Sequence, residues 1–168
     1  MSRSSSRARK PVIGVMGAGR CGEEASRQAH RVGRLIAERG AVLLCGGMGG
    51  VMEAACAGAR EAGGLTVGIM PGMNDLDSPP NPHVELAIFT GLSDGRNWVN
   101  VCASDALIAI AGGYGTLSEI ALALKIGKPV VLLHTWKFQA EEPLPEPATA
   151  ATAEEAVELA FQAIKRAR

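Results

Sequence analysis

Short apolar runs alternate with longer segments of helical period along most of the chain, and this alternation limits the folds open to it. Six runs predict strands, and most of them are apolar at nearly every position. Such strands are typical of a sheet that helices cover on both faces. The alternating order favours an α/β fold with a mainly parallel, doubly wound sheet. The predicted strands are 12–16, 41–45, 65–70, 84–89, 106–110 and 130–133.

Helices are predicted between these strands, at about 50–62, 95–103 and 114–127, and in the segment after residue 150. Two proline-rich segments, 71–82 and 141–150, are predicted to be connecting loops. The first helix precedes Gly40 and carries an apolar stripe at i, i+4, i+7 and i+11, formed by Ala25, Ala29, Val32 and Ile36.

A length of 168 residues suits one domain, and 47% hydrophobic residues are enough for a core that needs no disulfide or metal. We expect this domain to span residues 11–168. The opening MSRSSSRARK, residues 1–10, is expected to be a disordered tail, and a short nucleic-acid-binding or targeting arm is the alternative.

The charge balance argues against large polyanionic partners. Seventeen Lys and Arg residues offset seventeen Asp and Glu residues, so neither nucleic acid nor a membrane is an expected partner. No stretch approaches the roughly 18 apolar residues of a transmembrane helix, and we expect a soluble, cytoplasmic protein. The cysteines predict buried free thiols rather than a zinc site or a disulfide framework; they are Cys21, Cys45, Cys56 and Cys102.

Three glycine clusters each lie between a predicted strand and a predicted helix: GAGRCG at 17–22, GGMGG at 46–50 and GGYGT at 112–116. In a parallel sheet such turns share the carboxyl edge, where helix N-termini favour an anion such as phosphate. The alternative is that these glycines only permit tight turns and close packing. The predicted phosphate-binding residues are Gly17, Gly46, Gly47, Gly49, Gly112, Gly113, Gly115 and Thr116.

The first cluster also fits the GxGxxG pattern of dinucleotide-binding proteins. Those proteins need an acidic residue at the end of the second strand, and here that strand ends at Cys45. The nearest acidic residue, Glu38, lies within the first helix. NAD binding is therefore a minor alternative.

Two charged residues are candidates for chemistry. Thr116 and Glu119 fit the TxxE pattern of a helix capping box, but a carboxylate near a bound phosphate could also polarise water or stabilise a cationic sugar. Arg96 lies at a predicted helix start, where a ligand anion would offset its unfavourable position. Trp98 is expected in the core, whereas His83 and Tyr114 are left open as ligand contacts.

The strings AGGYGTLSEIALALKIGKPVVLL at 111–133, GGMGGVMEAACAGAREAGGLTVGIMPG at 46–72 and GRN at 95–97 resemble the LONELY GUY superfamily. They are most similar to its molybdenum cofactor carrier branch. The resemblance implies a Rossmann-like domain, usually a homodimer, that binds a nucleotide-like phosphomonoester. It also implies that Glu119 and Arg96 are the catalytic pair and that Asn97 belongs to the binding site.

The LONELY GUY enzymes hydrolyse the N-glycosidic bond of cytokinin nucleoside 5'-monophosphates and carry the motif PGGxGTxxE. This chain departs from it with Ala111 in place of the proline and with Asn97 in place of a lysine. The leading hypothesis is therefore a carrier-like binding protein for an AMP-like nucleotide or molybdenum cofactor. The alternative is a phosphoribohydrolase that needs no cofactor and no metal. A lysine decarboxylase, another label given to such sequences, lacks a pyridoxal-phosphate motif here.

Overall fold

The fold is a Rossmann-like α/β fold with one seven-stranded parallel sheet, in a computed structural model that describes residues 9–139 and 146–167. The strand order is β4-β3-β2-β1-β5-β6-β7. The strands are β1 (Val12–Gly17), β2 (Val42–Cys45), β3 (Thr66–Met70), β4 (Leu86–Phe89), β5 (Ala106–Ile110), β6 (Val130–Leu133) and β7 (Ala148–Ala150). The α-helices are α1 (Glu23–Glu38), α2 (Val51–Glu61), α3 (Arg96–Ala103), α4 (Tyr114–Lys125) and α5 (Ala153–Ala167).

The helices cover both faces of the sheet, as the uniformly apolar strands predict. On one face α1, α2 and α5 bury residues such as Val32, Cys56 and Val157 against the sheet. On the other face α3 and α4 bury Val101 and Ile120. The six predicted strands and the predicted helices are present. The seventh strand, β7, lies in the segment 141–150 that the prolines had predicted to be a connecting loop, and residues 140–145 are outside the described residues.

Two glycines set the distance between α1 and α2. A Cβ atom added at Gly33 would lie 1.9 Å from the carbonyl oxygen of Ala55, and one added at Gly58 would lie 1.9 Å from that of His30. The backbones of the two helices are therefore in direct contact. This contact orients the N-terminal end of α2 beside the end of β1.

The first described residue, Arg9, is hydrogen-bonded to the residue that precedes β5. Arg9 donates two hydrogen bonds to the carboxylate of Asp105, which also accepts the backbone N–H of Val12 at 2.8 Å. Residues 1–8 of the predicted tail are outside the described residues. None of the described helices combines the length and apolar character that crossing a bilayer requires.

The cysteines are free thiols, but their burial differs from the expectation. Cys45 and Cys56 are buried with their sulfur atoms 3.5 Å apart, and Cys21 is half-buried. Cys102 is exposed, because the short helix α3 turns this position outward. The prediction of a buried thiol was wrong at that position.

Gly58→Ala should destabilise the protein, because the new methyl group would overlap a backbone carbonyl that cannot move without separating α1 from α2. Overpacking of this kind costs about 1–3 kcal/mol. Urea unfolding measures the change. Gly95→Ala is the matched control, since Gly95 has a right-handed helical backbone and a Cβ there meets only Leu92 Cβ at 3.5 Å. Equal stability of both variants would contradict the close contact.

Candidate functional site

The three glycine clusters meet at one edge of the sheet, because they follow the three neighbouring strands β2, β1 and β5. After β1 the chain adds β2, β3 and β4 on one side of this strand, and it then crosses back to add β5 on the other side. The position between β1 and β5 is the switch point where open α/β sheets bind ligands. A cavity of about 420 Å³ lies there, a volume typical of small-molecule sites. The predicted residues that line it are Gly17, Gly46, Arg96, Asn97, Gly113, Gly115, Thr116 and Glu119.

The N-terminus of α4 has free amide groups at this cavity. The first hydrogen bond of the helix runs from the N–H of Leu117 to the carbonyl of Gly113, so the three preceding N–H groups have no acceptor within the helix. A Cβ atom at Gly113 or Gly115 would meet nothing within 4 Å. Packing within the protein therefore does not require glycine at these two positions, and the space beside the amides is open to an anion.

The N-terminus of α2 is less available. The N–H of Val51 donates to the carbonyl of Ala18 at 3.0 Å, and the N–H of Gly47 donates to Cys45 Sγ at 3.3 Å. The first amide of α2 thus binds the first cluster, and one amide of the second cluster is used within its own turn. The helix amides that remain open to the cavity lie mainly at α4.

Three predicted ligand residues do not line the cavity and instead shape its turns. Gly47 has φ +71°, and its carbonyl accepts a hydrogen bond from the backbone N–H of Asn81 at 2.8 Å. Gly112 has φ +108° and packs against Thr116 so tightly that a Cβ would lie 2.5 Å from its hydroxyl. Gly49 lies against Gly19, since a Cβ atom placed at Gly49 would be 3.2 Å from the carbonyl oxygen of Gly19.

Arg96 is the first residue of α3, as predicted, and it lines the same cavity as Glu119 without a salt bridge to it. Within the described ranges, no carboxylate forms a salt bridge with its guanidinium and no acceptor takes a hydrogen bond from it. A Cβ at Gly46 would lie 1.9 Å from Arg96 Nη1, so this glycine makes room for the cation. A half-buried cation at a helix N-terminus is unfavourable unless an anion joins it.

Glu119 lies in the second turn of α4, almost completely buried, and lines the same cavity. Its Oε1 accepts a hydrogen bond from Asn100 Nδ2 at 2.7 Å. Burial raises the pKa of Glu119 to about 7, although the hydrogen bond from Asn100 and the charge of Arg96 act to lower it. A carboxyl group with such a pKa is suited to proton transfer near neutral pH.

The capping box predicted from Thr116 and Glu119 is absent. The helix begins at Tyr114 and its N-cap is Gly113, which makes no side-chain capping hydrogen bond. Thr116 is therefore inside the first turn rather than at the cap, and the Glu119 side chain points away from the helix end toward Asn100. The prediction was wrong because the glycine backbone turns into the helix earlier than the TxxE pattern suggests.

Ala111 occupies the position where the LONELY GUY motif has proline. Its φ is +49°, a value that the proline ring, fixed near −65°, cannot adopt. The carbonyl of Ala111 accepts a hydrogen bond from the hydroxyl of Thr135, which holds this bend in place. The departure from the motif thus has a structural basis in the turn before α4.

Asn97 fixes α3 to α4 as well as lining the cavity. Its Nδ2 donates to Ser118 Oγ at 2.9 Å, and that hydroxyl donates to the carbonyl of Gly115 at 2.7 Å. The amide therefore positions the turn that carries the free N–H groups. A positively charged lysine at this position would lack the short amide that makes this bridge.

The aromatic and histidine candidates lie elsewhere. Trp98 is not in the core but 45% exposed, because residues 97, 100 and 101 are the buried ones on the short helix α3. Tyr114 is exposed, with its ring centroid 6.1 Å from that of Trp136. His83 lines a separate cavity beside the N-terminus of α1.

Sequence reasoning missed Asn100, which is fully buried and contacts Glu119 directly. The available signal was its spacing: Asn100 follows Arg96 by four residues, so a helix places both on one face. Asp94 and the methionines 16, 48 and 52 also line the cavity and were not predicted. In the part of the chain that the structure describes, no three His, Cys, Asp or Glu side chains gather as metal ligands.

The comparisons with known proteins agree with this architecture. Residues 10–161 match the SLOG cluster4 family, and the chain belongs to that family. The molybdenum cofactor binding protein from Rippkaea orientalis is 41% identical with a TM-score of 0.82, covering 93% of this chain and 98% of that one. The molybdenum cofactor carrier protein from Chlamydomonas reinhardtii is 38% identical with a TM-score of 0.78, covering 94% and 99%.

A curated enzyme is also similar. The cytokinin riboside 5'-monophosphate phosphoribohydrolase from Mycobacterium tuberculosis is 36% identical over 116 residues, which cover 64% of this chain and 62% of the enzyme. The resemblance to the LONELY GUY superfamily and to its molybdenum cofactor carrier branch is thus confirmed. The carrier proteins match nearly the whole chain, whereas the enzyme matches about two thirds of it.

Glu119→Gln should change how stability depends on pH. The pKa of Glu119 is about 7 in the folded protein and near 4.5 when exposed, so the folded state binds its proton more tightly. The stability from this group is complete below about pH 4.5 and is lost as pH rises through 7, by about 3 kcal/mol. The variant lacks this loss and should be the more stable protein at pH 8.

Urea unfolding at pH 5 and pH 8 measures the difference between the two proteins. Glu53→Gln is the control, because Glu53 lies on α2 outside the cavity and should leave the pH dependence of wild type unchanged. If the free energy of unfolding depended on pH in the same way for wild type and Glu119→Gln, this would contradict the raised pKa of Glu119.

Proposed function

We propose that this protein binds a small phosphomonoester, an AMP-like nucleotide or molybdenum cofactor, with the phosphate at the N-terminus of α4 beside Arg96. One observation carries the proposal: among the described residues, an arginine without a salt bridge or hydrogen bond shares a cavity with helix amides that have no acceptor within the helix. Both features favour the same negatively charged group. Neutral ligands would leave the cation and the amides unsatisfied.

The relatives support the carrier form of this proposal. Two structures that match nearly the whole chain are named as a molybdenum cofactor binding protein and a molybdenum cofactor carrier protein. Molybdenum cofactor is a pterin that bears a phosphate, so its headgroup suits the seat at α4. In this proposal the cofactor is cargo, held by its phosphate and returned unchanged.

The protein is proposed to act as a homodimer. Trp98 on α3 and Tyr114 on α4 are exposed, and together with Leu122 they line one surface cavity. Exposed apolar residues grouped on one layer are typical of protein interfaces.

Hydrolysis of a nucleoside 5'-monophosphate is the second candidate. It is favoured by the position of Glu119, a buried carboxyl group with a pKa near 7 in the same cavity as the phosphate seat. Ionised Glu119 would accept a proton from the attacking water or stabilise positive charge on the sugar. The water oxygen would add at C1' as the bond to the base breaks, and the leaving nitrogen would take up a proton from solvent. The products would be the free base and ribose 5-phosphate.

Arg96→Met should weaken AMP binding by about 10- to 100-fold, because hydrogen bonds to a charged group contribute about 1.5–3 kcal/mol. Gly115→Ala should weaken binding as well, because its methyl group enters the open space beside the amides. Isothermal titration calorimetry with AMP, and with molybdenum cofactor under anaerobic conditions, measures the affinities.

Gly22→Ala is the matched control for these titrations. Gly22 also precedes a helix and has open space around its Cβ position, but it does not line this cavity. Its variant should bind like wild type. Failure of wild type to bind either compound at millimolar concentration would remove the proposal.

Release of adenine from AMP separates carrier from hydrolase. If the protein is a hydrolase, wild type releases adenine and Glu119→Gln loses at least 100-fold of that rate, a typical effect of removing a general acid or base. If it is a carrier, neither protein releases adenine although both bind AMP. Chromatography of the reaction mixture measures the free base, and equal hydrolysis by wild type and variant would exclude Glu119 as the catalytic group.

A further inference from the structure

Asn100 places a buried amide directly behind the carboxyl group of Glu119. It lies one turn after Arg96 on α3 and is 0% exposed. Its Nδ2 donates to Glu119 Oε1 at 2.7 Å. Its Oδ1 is also buried and has no hydrogen-bond partner among the residues that the structure describes.

An unpartnered buried oxygen is costly. Leaving a buried polar atom unsatisfied costs about 1–3 kcal/mol, and such atoms are rare in native proteins. A hydrogen bond from Nδ2 alone does not require an asparagine, since a donor without a second polar atom would avoid this cost. The cost of the free oxygen therefore accompanies the hydrogen bond that Asn100 donates to Glu119.

Protonation of Glu119 changes what this donor contributes. An ionised carboxylate only accepts hydrogen bonds and needs the Nδ2 donor, whereas a carboxylic acid can donate its own proton. The hydrogen bond from Asn100 therefore stabilises the ionised form of Glu119 more than the protonated form.

The charges facing Glu119 explain when the proton would be taken up. Arg96 on α3 favours the ionised carboxylate, the Cys45 thiol lies nearby at the end of β2, and the Asp94 carboxylate lines the same cavity. A phosphate at the N-terminus of α4 would bring negative charge close to Glu119 and would engage Arg96. Like charges that close favour protonation of one of them.

We propose that Asn100 is a positioning residue that favours ionised Glu119 in the free protein by donating to its carboxylate, and that Glu119 takes up a proton when a phosphate binds. The inference rests on the proposed function, since it assumes that a phosphomonoester occupies the seat at α4. It assigns Glu119 a role in binding that does not depend on catalysis.

Calorimetric titration of wild type with AMP at pH 8, in two buffers of different ionisation enthalpy, tests the coupling. A rise of one to two units in the pKa of Glu119 from about 7 predicts uptake of about 0.4–0.8 proton per AMP bound. Affinity should then fall about three- to sixfold per pH unit near pH 8. Glu119→Gln should bind AMP without this uptake, and it also corrects for protonation of AMP itself.

Asn100→Leu tests the positioning role. Without the Nδ2 donor, the free protein should already hold the proton at a higher pH, so the pH of maximal uptake should move upward. A merely structural role would lower stability and leave that pH unchanged. Glu53→Gln, a carboxyl group outside the cavity, should keep the uptake of wild type.

Three results would overturn the coupling. Uptake by Glu119→Gln equal to that of wild type excludes Glu119 as the group, even if Asn100→Leu does not fold. An unchanged pH of maximal uptake in folded Asn100→Leu excludes Asn100. Binding of AMP by wild type without uptake removes the coupling alone, whereas no binding of AMP removes the proposed function with it.

Discussion

The placement of β1 between β2 and β5 is the constraint on which the site depends. Parallel pairing on both sides of β1 sets the carboxyl ends of three strands side by side, so that turns far apart in sequence share one edge. The helices that follow β1 and β5 then leave on opposite faces and open a gap between them. The close contact of α1 with α2 fills one side of this gap, and the free end of α4 remains on the other.

The site combines a cation, whose surroundings favour a nearby anion, with a carboxyl group, whose burial disfavours its ionised form. Arg96 is half-buried with no salt bridge or hydrogen bond to any described residue, and Glu119 is buried with a side-chain hydrogen bond from Asn100. Neither arrangement stabilises the empty protein, because unpaired charge at low exposure is unfavourable. An anionic ligand would satisfy the first residue while its charge suppresses ionisation of the second. In the proposed complex, the same two residues would therefore affect both the affinity for the ligand and the stability of the fold.

Local sequence patterns predicted most of the fold. This topology buries its strands on both faces and its helices on one face, and such burial is what uniformly apolar strands and helical stripes indicate. They failed where a contact distant in sequence decides the outcome. The strand β7 pairs with β6 although prolines surround it, and Trp98 is exposed because α3 is too short to bury a second face. Glycine clusters located the cavity, but the division of their amides between ligand and protein depends on how Ala18 approaches Val51. Asn100 was missed because its partner is nineteen residues away on another helix.

The left-handed backbone at Ala111 has an evolutionary consequence. A proline cannot enter this position while the neighbouring turn keeps its shape, since the ring restricts φ to negative values. A change of Ala111 to proline is therefore not a neutral substitution, because the loop before α4 must rearrange with it. A replacement of Ala111 by proline alone would therefore strain the backbone that leads into α4.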